Sequence, residues 1–512
     1  MGEGNRYNYL IVFFVALGSF TYGYNSAIIG SVLGLPSFFS YFNLELTGPN
    51  AAYGNRITGA TNGLFSGGGM IGCMITAWLA DKVGRRMGVQ IICVICIISA
   101  IIQGASVAIA MFLVGRFING VGVGMMAPII PTYLSEVAPA KIRGRMVASH
   151  GILAISGYSV ASWTGYGCYF EANPDIQWRL CLSLQVVAPL LLIAGSPWLP
   201  ESPRWLILKD RDDEGFAVLR KLHHRASDPD EIFAREEFLQ IRQQVALDAT
   251  QDTSIKALFK QPSIRKRLLL GLFVQFIAQS TGVLVINNYQ VILYNGLGLS
   301  GSTPLLLYAV YNTLAASLNV VNSLIIDRVG RVRLLSIGLV GDLVALTLFT
   351  VMVAEYSGTT NKVGEGFGVF FLFLFVLFYA SCVDACSYVY VSEIFPTWMR
   401  AQGVAFSLLG LFGGTLIYTQ AATTAFASIG WKYYLLFIAI TFLGLFIVIF
   451  FLPETKGLAL EEIGALFGDE VALDLSHLTL EQREALDRKL LDVDVKEKPQ
   501  DGAIAHQVET TV

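Results

Sequence analysis

Residues 79–88 read LADKVGRRMG, and residues 325–334 read IIDRVGRVRL. Each is a short cluster of acids and bases around one glycine, set between two long apolar runs. The chain has 512 residues, 54% hydrophobic and only 14% charged, with mean hydropathy +0.59. A soluble chain carries about 25% charged residues, so this composition points to a polytopic membrane protein, and the clusters mark places where the chain leaves the bilayer. A net charge of −3 gives no reason to expect a nucleic-acid partner. Five histidines and the absence of HExxH, GxSxG or Walker A patterns argue against an enzyme. No cofactor or metal is expected.

A membrane-crossing helix needs about 20 mostly apolar residues. That window predicts an all-α protein of twelve spans, at 9–30, 57–80, 88–109, 111–134, 147–168, 179–199, 266–293, 303–326, 332–354, 367–391, 401–426 and 431–452. The first stretch carries no cleavage site and reads as a helix rather than a signal peptide. Lys82, Arg85, Arg86, Lys141, Arg143, Arg145, Arg328, Arg331, Arg333 and Arg400 fall on one side of the bilayer. Arg56, Arg179, Lys362 and Lys432 fall on the other. The richer side is expected to be cytosolic, with both termini and both clusters there. Of the cysteines, Cys93 and Cys96 lie mid-membrane as apolar fillers, and Cys168 and Cys181 flank one outer loop, the one pair placed for a disulfide.

The clusters are part of a longer repeat. SEVAPAKIRG at 135–144 returns as SEIFPTWMRAQG at 392–403, and PESPR at 200–204 returns as PETKG at 453–457. Three motifs in one order at nearly one spacing divide the chain into an N-terminal six-helix half (1–199), a cytosolic linker (200–265), a C-terminal six-helix half (266–452) and a cytosolic tail (453–512). Repeated halves with the substrate site between them are a common construction of secondary transporters. The linker predicts short amphipathic helices: Ser202 is placed as an N-cap with Pro203 in the first turn, and SDPDEIFAREEFLQIRQQ has an acidic start. The tail predicts one helix at TLEQREALDRKLL and a polar, disordered end. Small residues at four-residue spacing in GATNGLFSGGGMIG, together with GVGVG at 120–124, predict close helix packing.

These motifs, with GRFINGVGVG at 115–124, PTYLSE at 131–136 and PESPRWL at 200–206, resemble the sugar porter family of the major facilitator superfamily. IGSVLGLPSFF and GYG at 165–167 resemble its fungal branch. The resemblance covers roughly residues 8–460 and implies the major facilitator fold. It also implies an integral, multi-pass carrier working by alternating access, expected in the plasma membrane, monomeric, with the lipid bilayer and a small-molecule solute as its partners.

Asp81, Arg85, Glu136 and Arg143 form one acid–base set at helix ends, and Asp327, Arg331, Glu393 and Arg400 form its repeat. Two such sets on one face read as a cytosolic gate whose ion pairs hold the halves together. Polar side chains inside spans are candidates for the cargo site. Gln275, Gln279, Asn287, Asn288 and Tyr289 lie in the seventh span, and Tyr379, Asp384 and Tyr388 in the tenth. Amides donate and accept together and so match a hydroxyl-rich cargo. The sequence departs from the family's hexose-contacting pattern: Leu284, Gly151 and Ala315 stand where an Asn, a Gln and an Asn are usual, and SCVDACSY replaces a Pro-rich segment.

A sugar or polyol is the expected cargo, with a non-sugar specialised metabolite as the alternative. Proton-coupled members of the family read Gly-Tyr-Asp in the first span, where that Asp faces the Arg of the fourth. Here the residues are Gly23-Tyr24-Asn25, and the Arg is Arg116. The resemblance therefore implies a facilitator, with a proton symporter using Asp384 as the other reading.

Overall fold

The computed structural model describes residues 6–468 apart from 47, 138–142, 224–233, 236, 240, 243–244, 246–258, 358, 360, 397–398 and 459. Regular structure among the described residues is helical, without strands. Nine stretches are long and apolar enough to cross a membrane. The last of them, Arg400–Phe451, is two spans hinged at Gly430 (φ 53°). With Arg6–Val32 and Arg143–Cys168 the spans number twelve. They are α1 (Arg6–Val32), α2 (Ala51–Val83), α3 (Arg85–Gly104), α4 (Ile109–Val137), α5 (Arg143–Cys168) and α6 (Pro174–Trp198), then α7 (Pro262–Gly296), α8 (Thr303–Val329), α9 (Arg331–Tyr356), α10 (Lys362–Ile394), α11 (Arg400–Ile429) and α12 (Tyr433–Phe451).

Two expected continuous helices are broken. In α7 the chain turns at Gly282, whose φ of 85° favours glycine, and a second helical piece starts at Val283. In α10, Tyr379–Val383 is a π-helical turn, in the stretch that departs from the family's pattern. Such turns leave backbone groups free of the regular ladder and often mark functional sites. Ser202 caps a short helix, Pro203–Leu208, its Oγ accepting from the Trp205 N–H at 3.2 Å, as its position predicts. A second linker helix covers Asp212–His223. Most of SDPDEIFAREEFLQIRQQ, and the tail helix at TLEQREALDRKLL, lie outside the described residues. Leu458–Val512 forms a separate unit whose described part holds the short helix Leu460–Leu466. All seven cysteines are free thiols, Cys168 and Cys181 included.

The packing follows from small residues. A Cβ added at Gly68 or Gly72 of α2 would overlap the backbone of α4 at Phe117 or Val121, and one at Gly120 or Gly124 of α4 would overlap α2 at Phe65 or Gly69. The two helices thus touch backbone to backbone, where dispersion contacts rather than water exclusion hold helices in lipid. The first six spans meet the last six chiefly through α2 against α11 and α5 against α8. Hydrogen bonds across that seam gather at the end of the bundle away from the charge clusters. The Tyr308 hydroxyl donates to the Ala27 carbonyl (3.0 Å), Thr423 Oγ1 to the Asn55 carbonyl (2.6 Å) and Trp163 Nε1 to Thr313 Oγ1 (2.9 Å).

Gly124→Val would force α2 and α4 apart. We expect it to destabilise the purified protein by about 1–3 kcal/mol, as overpacking does. Gly151→Ala, whose Cβ would meet nothing within 4 Å, should leave the melting temperature unchanged or higher.

Candidate functional site

Each charge cluster is built around one arginine at the start of a helix. Gly84 (φ 91°) joins α2 to α3, and Gly330 (φ 105°) joins α8 to α9. The turns bring Arg85 back onto Asp81 (3.3 Å) and Arg331 back onto Asp327 (2.8 Å). From the next helix, Glu136 of α4 reaches Arg85 at 2.9 Å and Glu393 of α10 reaches Arg331 at 2.7 Å. The aspartates are exposed, so their pairs contribute at most about 1 kcal/mol each. The glutamates are largely buried with their arginines, and removing either partner would leave a buried charge, a loss of about 3–5 kcal/mol.

One further acid completes each cluster. Glu201 accepts the backbone N–H of Arg85 at 2.8 Å and of Arg86 at 3.1 Å. Glu454 accepts those of Arg331 (2.8 Å) and Val332 (3.0 Å). Each carboxylate caps a helix N-terminus, where the first amides lack intrahelical partners and the dipole favours a negative charge. Side chains larger than hydrogen at Gly84 or Gly330 would collide with these same carboxylates. The repeat of PESPR and PETKG was the available signal for them; the sequence reading noted the motif and did not assign the acids.

Among the described residues, the ion pairs of Arg85 stay within α2–α4 and those of Arg331 within α8–α10. These pairs tie helices inside each repeat. Arg400 opens α11. Arg143 opens α5, its side chain outside the described residues.

The expected cargo residues separate into two groups. Asn287 is occupied by protein: its Nδ2 donates to Asn312 at 2.9 Å, and its Oδ1 accepts from the Tyr308 hydroxyl at 3.2 Å. Tyr289 donates to the Thr419 carbonyl at 2.8 Å and lies against Thr58 of α2, at the seam. The other residues keep free hydrogen-bonding capacity. Gln275 has neither amide atom paired, and Gln279 Oε1 and Asn288 Oδ1 lack donors among the described residues.

Asp384 and Tyr388 are partly exposed although they stand inside α10, and so they face an interior space. Asn319 of α8 donates to Asp384 Oδ2 at 2.9 Å. Tyr22 of α1, Tyr158 of α5, Tyr379 and Tyr388 all lie within electrostatic reach of that carboxylate. Tyr22 meets Tyr388, Gln279 meets Tyr379, and Tyr158 meets Ser26. The sequence reading missed Tyr22 and Tyr158 as site residues. Both are polar aromatics in apolar spans, but nothing in the linear pattern tells which face of a span lines the interior.

Among the described residues Asn25 pairs with Asn119 rather than with Arg116. Asn25 Oδ1 accepts from Asn119 Nδ2 at 2.7 Å, one turn further along α4. Arg116 is fully buried, its guanidinium 4.3 Å from the Phe65 ring centroid.

A sequence profile described as "Sugar (and other) transporter" matches residues 11–467. The MFS-type transporter criB of Aspergillus cristatus is 31% identical over 470 residues, 91% of this chain and 94% of that protein. The high-affinity glucose transporter of Kluyveromyces lactis is 30% identical, covering 90% of this chain and 85% of its own length. The structure of the proton:xylose symporter XylE of E. coli bound to 6-bromo-6-deoxy-D-glucose superposes with a TM-score of 0.76 at 21% identity, over 91% of this chain and all of the other, a likeness of fold. The chain belongs to the sugar transporter family of the major facilitator superfamily. It is an integral multi-pass transporter and not an enzyme.

The different burial of the two kinds of carboxylate has a measurable consequence. Glu454→Ala should lower the stability of the purified carrier by about 1.5–3 kcal/mol, the worth of a charged hydrogen-bond acceptor. Asp327→Ala, at an exposed aspartate, should cost less than about 1 kcal/mol. Thermal melting in detergent ranks the two, and equal effects would mean that Glu454 does not hold the α9 terminus.

Proposed function

We propose that this family member moves a sugar or polyol down its gradient across the plasma membrane, as a facilitator. The N-terminal half (1–199), the linker (200–265), the C-terminal half (266–452) and the tail (453–512) would then act as two rocking bodies with a cytosolic connector, a cytosolic tail and both termini inside. The solute would sit between the halves, and a monomer in the bilayer would suffice for transport.

The observation that carries this reading is the chemistry around Asp384. A carboxylate, four tyrosines and the Gln279 amide gather in the interior of the bundle, and Asn288 adds a buried amide oxygen without a donor among the described residues. Hydroxyl-rich cargo donates to a carboxylate and exchanges paired hydrogen bonds with amides. Tyrosine faces cover the C–H surface of a ring while their hydroxyls stay available. Asn287 is already paired, so its part is to hold α7 against α8, and Tyr289 belongs to the seam rather than to the cargo.

Two observations favour facilitation. Asn25 has no proton to exchange and is bound to Asn119. Arg116 has no carboxylate against it among the described residues. A symporter that used Asp384 would instead need that carboxyl, which accepts a hydrogen bond from Asn319, to take up and release a proton in each cycle.

Uptake of labelled sugars and polyols in a transport-deficient host tests both parts. Gln279→Ala should raise the half-saturation concentration roughly tenfold, from two to three lost hydrogen bonds at about 0.5–1.5 kcal/mol each, with surface expression kept. Wild-type affinity in that variant would move the cargo site away from α7. Transport by the wild type should level at equal concentrations inside and out and be insensitive to an uncoupler. Accumulation that collapses with uncoupler would replace the facilitator reading with proton coupling.

A further inference from the structure

Arg116 presents a buried positive charge that the protein does not satisfy. The side chain is fully buried, and none of its three guanidinium nitrogens has a hydrogen-bond acceptor among the described residues. A guanidinium carries five N–H donors and accepts nothing. Its guanidinium lies over the face of Phe65, 4.3 Å from the ring centroid. That ring attracts the cation but accepts no conventional hydrogen bond. Asn119, one turn along α4, does not serve it, since Asn119 Oδ1 is itself without a partner.

A second orphaned donor lies close by. Asn62 of α2 is buried, one turn before Phe65, and its Nδ2, beside the Tyr289 hydroxyl, makes no hydrogen bond of normal geometry among the described residues. Tyr289, from α7 across the seam, lies near both Asn62 and Arg116. Its hydroxyl bonds to the Thr419 carbonyl at 2.8 Å. The cluster therefore joins a permanent cation, an amide N–H and an aromatic hydroxyl from three helices and both repeats. Nothing with negative charge faces Arg116 among the described residues.

Orphaned donors of one kind, converging in a desolvated place, define the chemistry of what completes them. We propose that Arg116, Asn62 and Tyr289 form a binding site for a monovalent anionic group at the seam of the two repeats. Arg116 carries the charge, Asn62 Nδ2 adds a directed bond, and Tyr289 makes the site complete only when the repeats are closed at this end. The same chemistry has two sources, a free inorganic anion such as chloride or a carboxylate carried on a polyol. Either occupant would favour the conformation in which Tyr289 stands against α2.

Melting temperatures of the purified full-length protein in detergent decide the matter. Chloride, glucuronate and, as the neutral counterpart, glucose are compared at constant ionic strength set with a bulky organosulfonate. We expect an anion at roughly 100 times its dissociation constant to raise the melting temperature by several degrees. Arg116→Gln should abolish the dependence, and Asn62→Ala should weaken the apparent affinity roughly tenfold. A shift with chloride assigns a free anion. A shift with glucuronate, and with neither chloride nor glucose, assigns the carboxylate of a cargo. No anion-dependent shift in the wild type, or the same shift in Arg116→Gln, overturns the proposal. If Arg116→Gln does not fold, an unchanged affinity in Asn62→Ala overturns it. Uptake of neutral sugar by the wild type, measured in parallel, separates failure of this site from failure of the carrier assignment.

Discussion

Arg85 and Arg331 are the fixed points of this molecule. Each stands at a helix start, pairs with an exposed aspartate from the preceding helix and a largely buried glutamate from the following one, and has its backbone N–H capped by a third acid from far along the chain. In a membrane protein, charges drawn toward the bilayer must be matched inside the protein. The matching makes three helices move as one. Because the acids paired with each arginine come from within the same repeat, they stiffen each set of helices.

The interior is divided accordingly. At the end of the bundle away from the clusters, Tyr308, Thr423 and Trp163 donate across the seam. Those bonds go mostly to backbone carbonyls, so they depend on helix position more than on side-chain identity. Nearer the middle, the broken pieces of α7 and the π-helical turn of α10 present polar groups inward. An unbroken α-helix would use those backbone groups on itself. The discontinuities therefore give the middle of the bundle a polar lining while both helices still span the membrane.

Arg116 shows why a family pattern does not carry over as a whole. Replacing an acid by Asn25 removes a charge, and Asn25 then finds a neutral partner in Asn119. Arg116 keeps its position with the Phe65 ring against its guanidinium and, among the described residues, no hydrogen-bond acceptor. A cation–π contact of about 0.5–2 kcal/mol is smaller than the about 2.5–3.5 kcal/mol that burying a charge in a membrane helix costs. The arginine is thus held by the fold rather than by its own contacts.

The sequence by itself determined the twelve spans, because hydrocarbon accepts only long apolar helices, and it determined the repeat, because DKVGRR, SEVAP and PESPR return in order. It also identified the acids and bases of the clusters and placed Gln279, Asp384 and Tyr388 among the inward polar candidates. Only the tertiary structure decided the partners. Glu201 and Glu454 cap helices that begin more than a hundred residues earlier, a pairing that no local spacing encodes. Asn287 was indistinguishable from Asn288 in the sequence, yet one is consumed by Asn312 and Tyr308 while the other keeps a free oxygen. Tyr22 and Tyr158 join Asp384 because α1, α5 and α10 converge on one space. Apolar periodicity carries little information about facing in lipid, where both the outer surface and the packed interior are apolar, so which polar groups meet is settled by the packing of the helices.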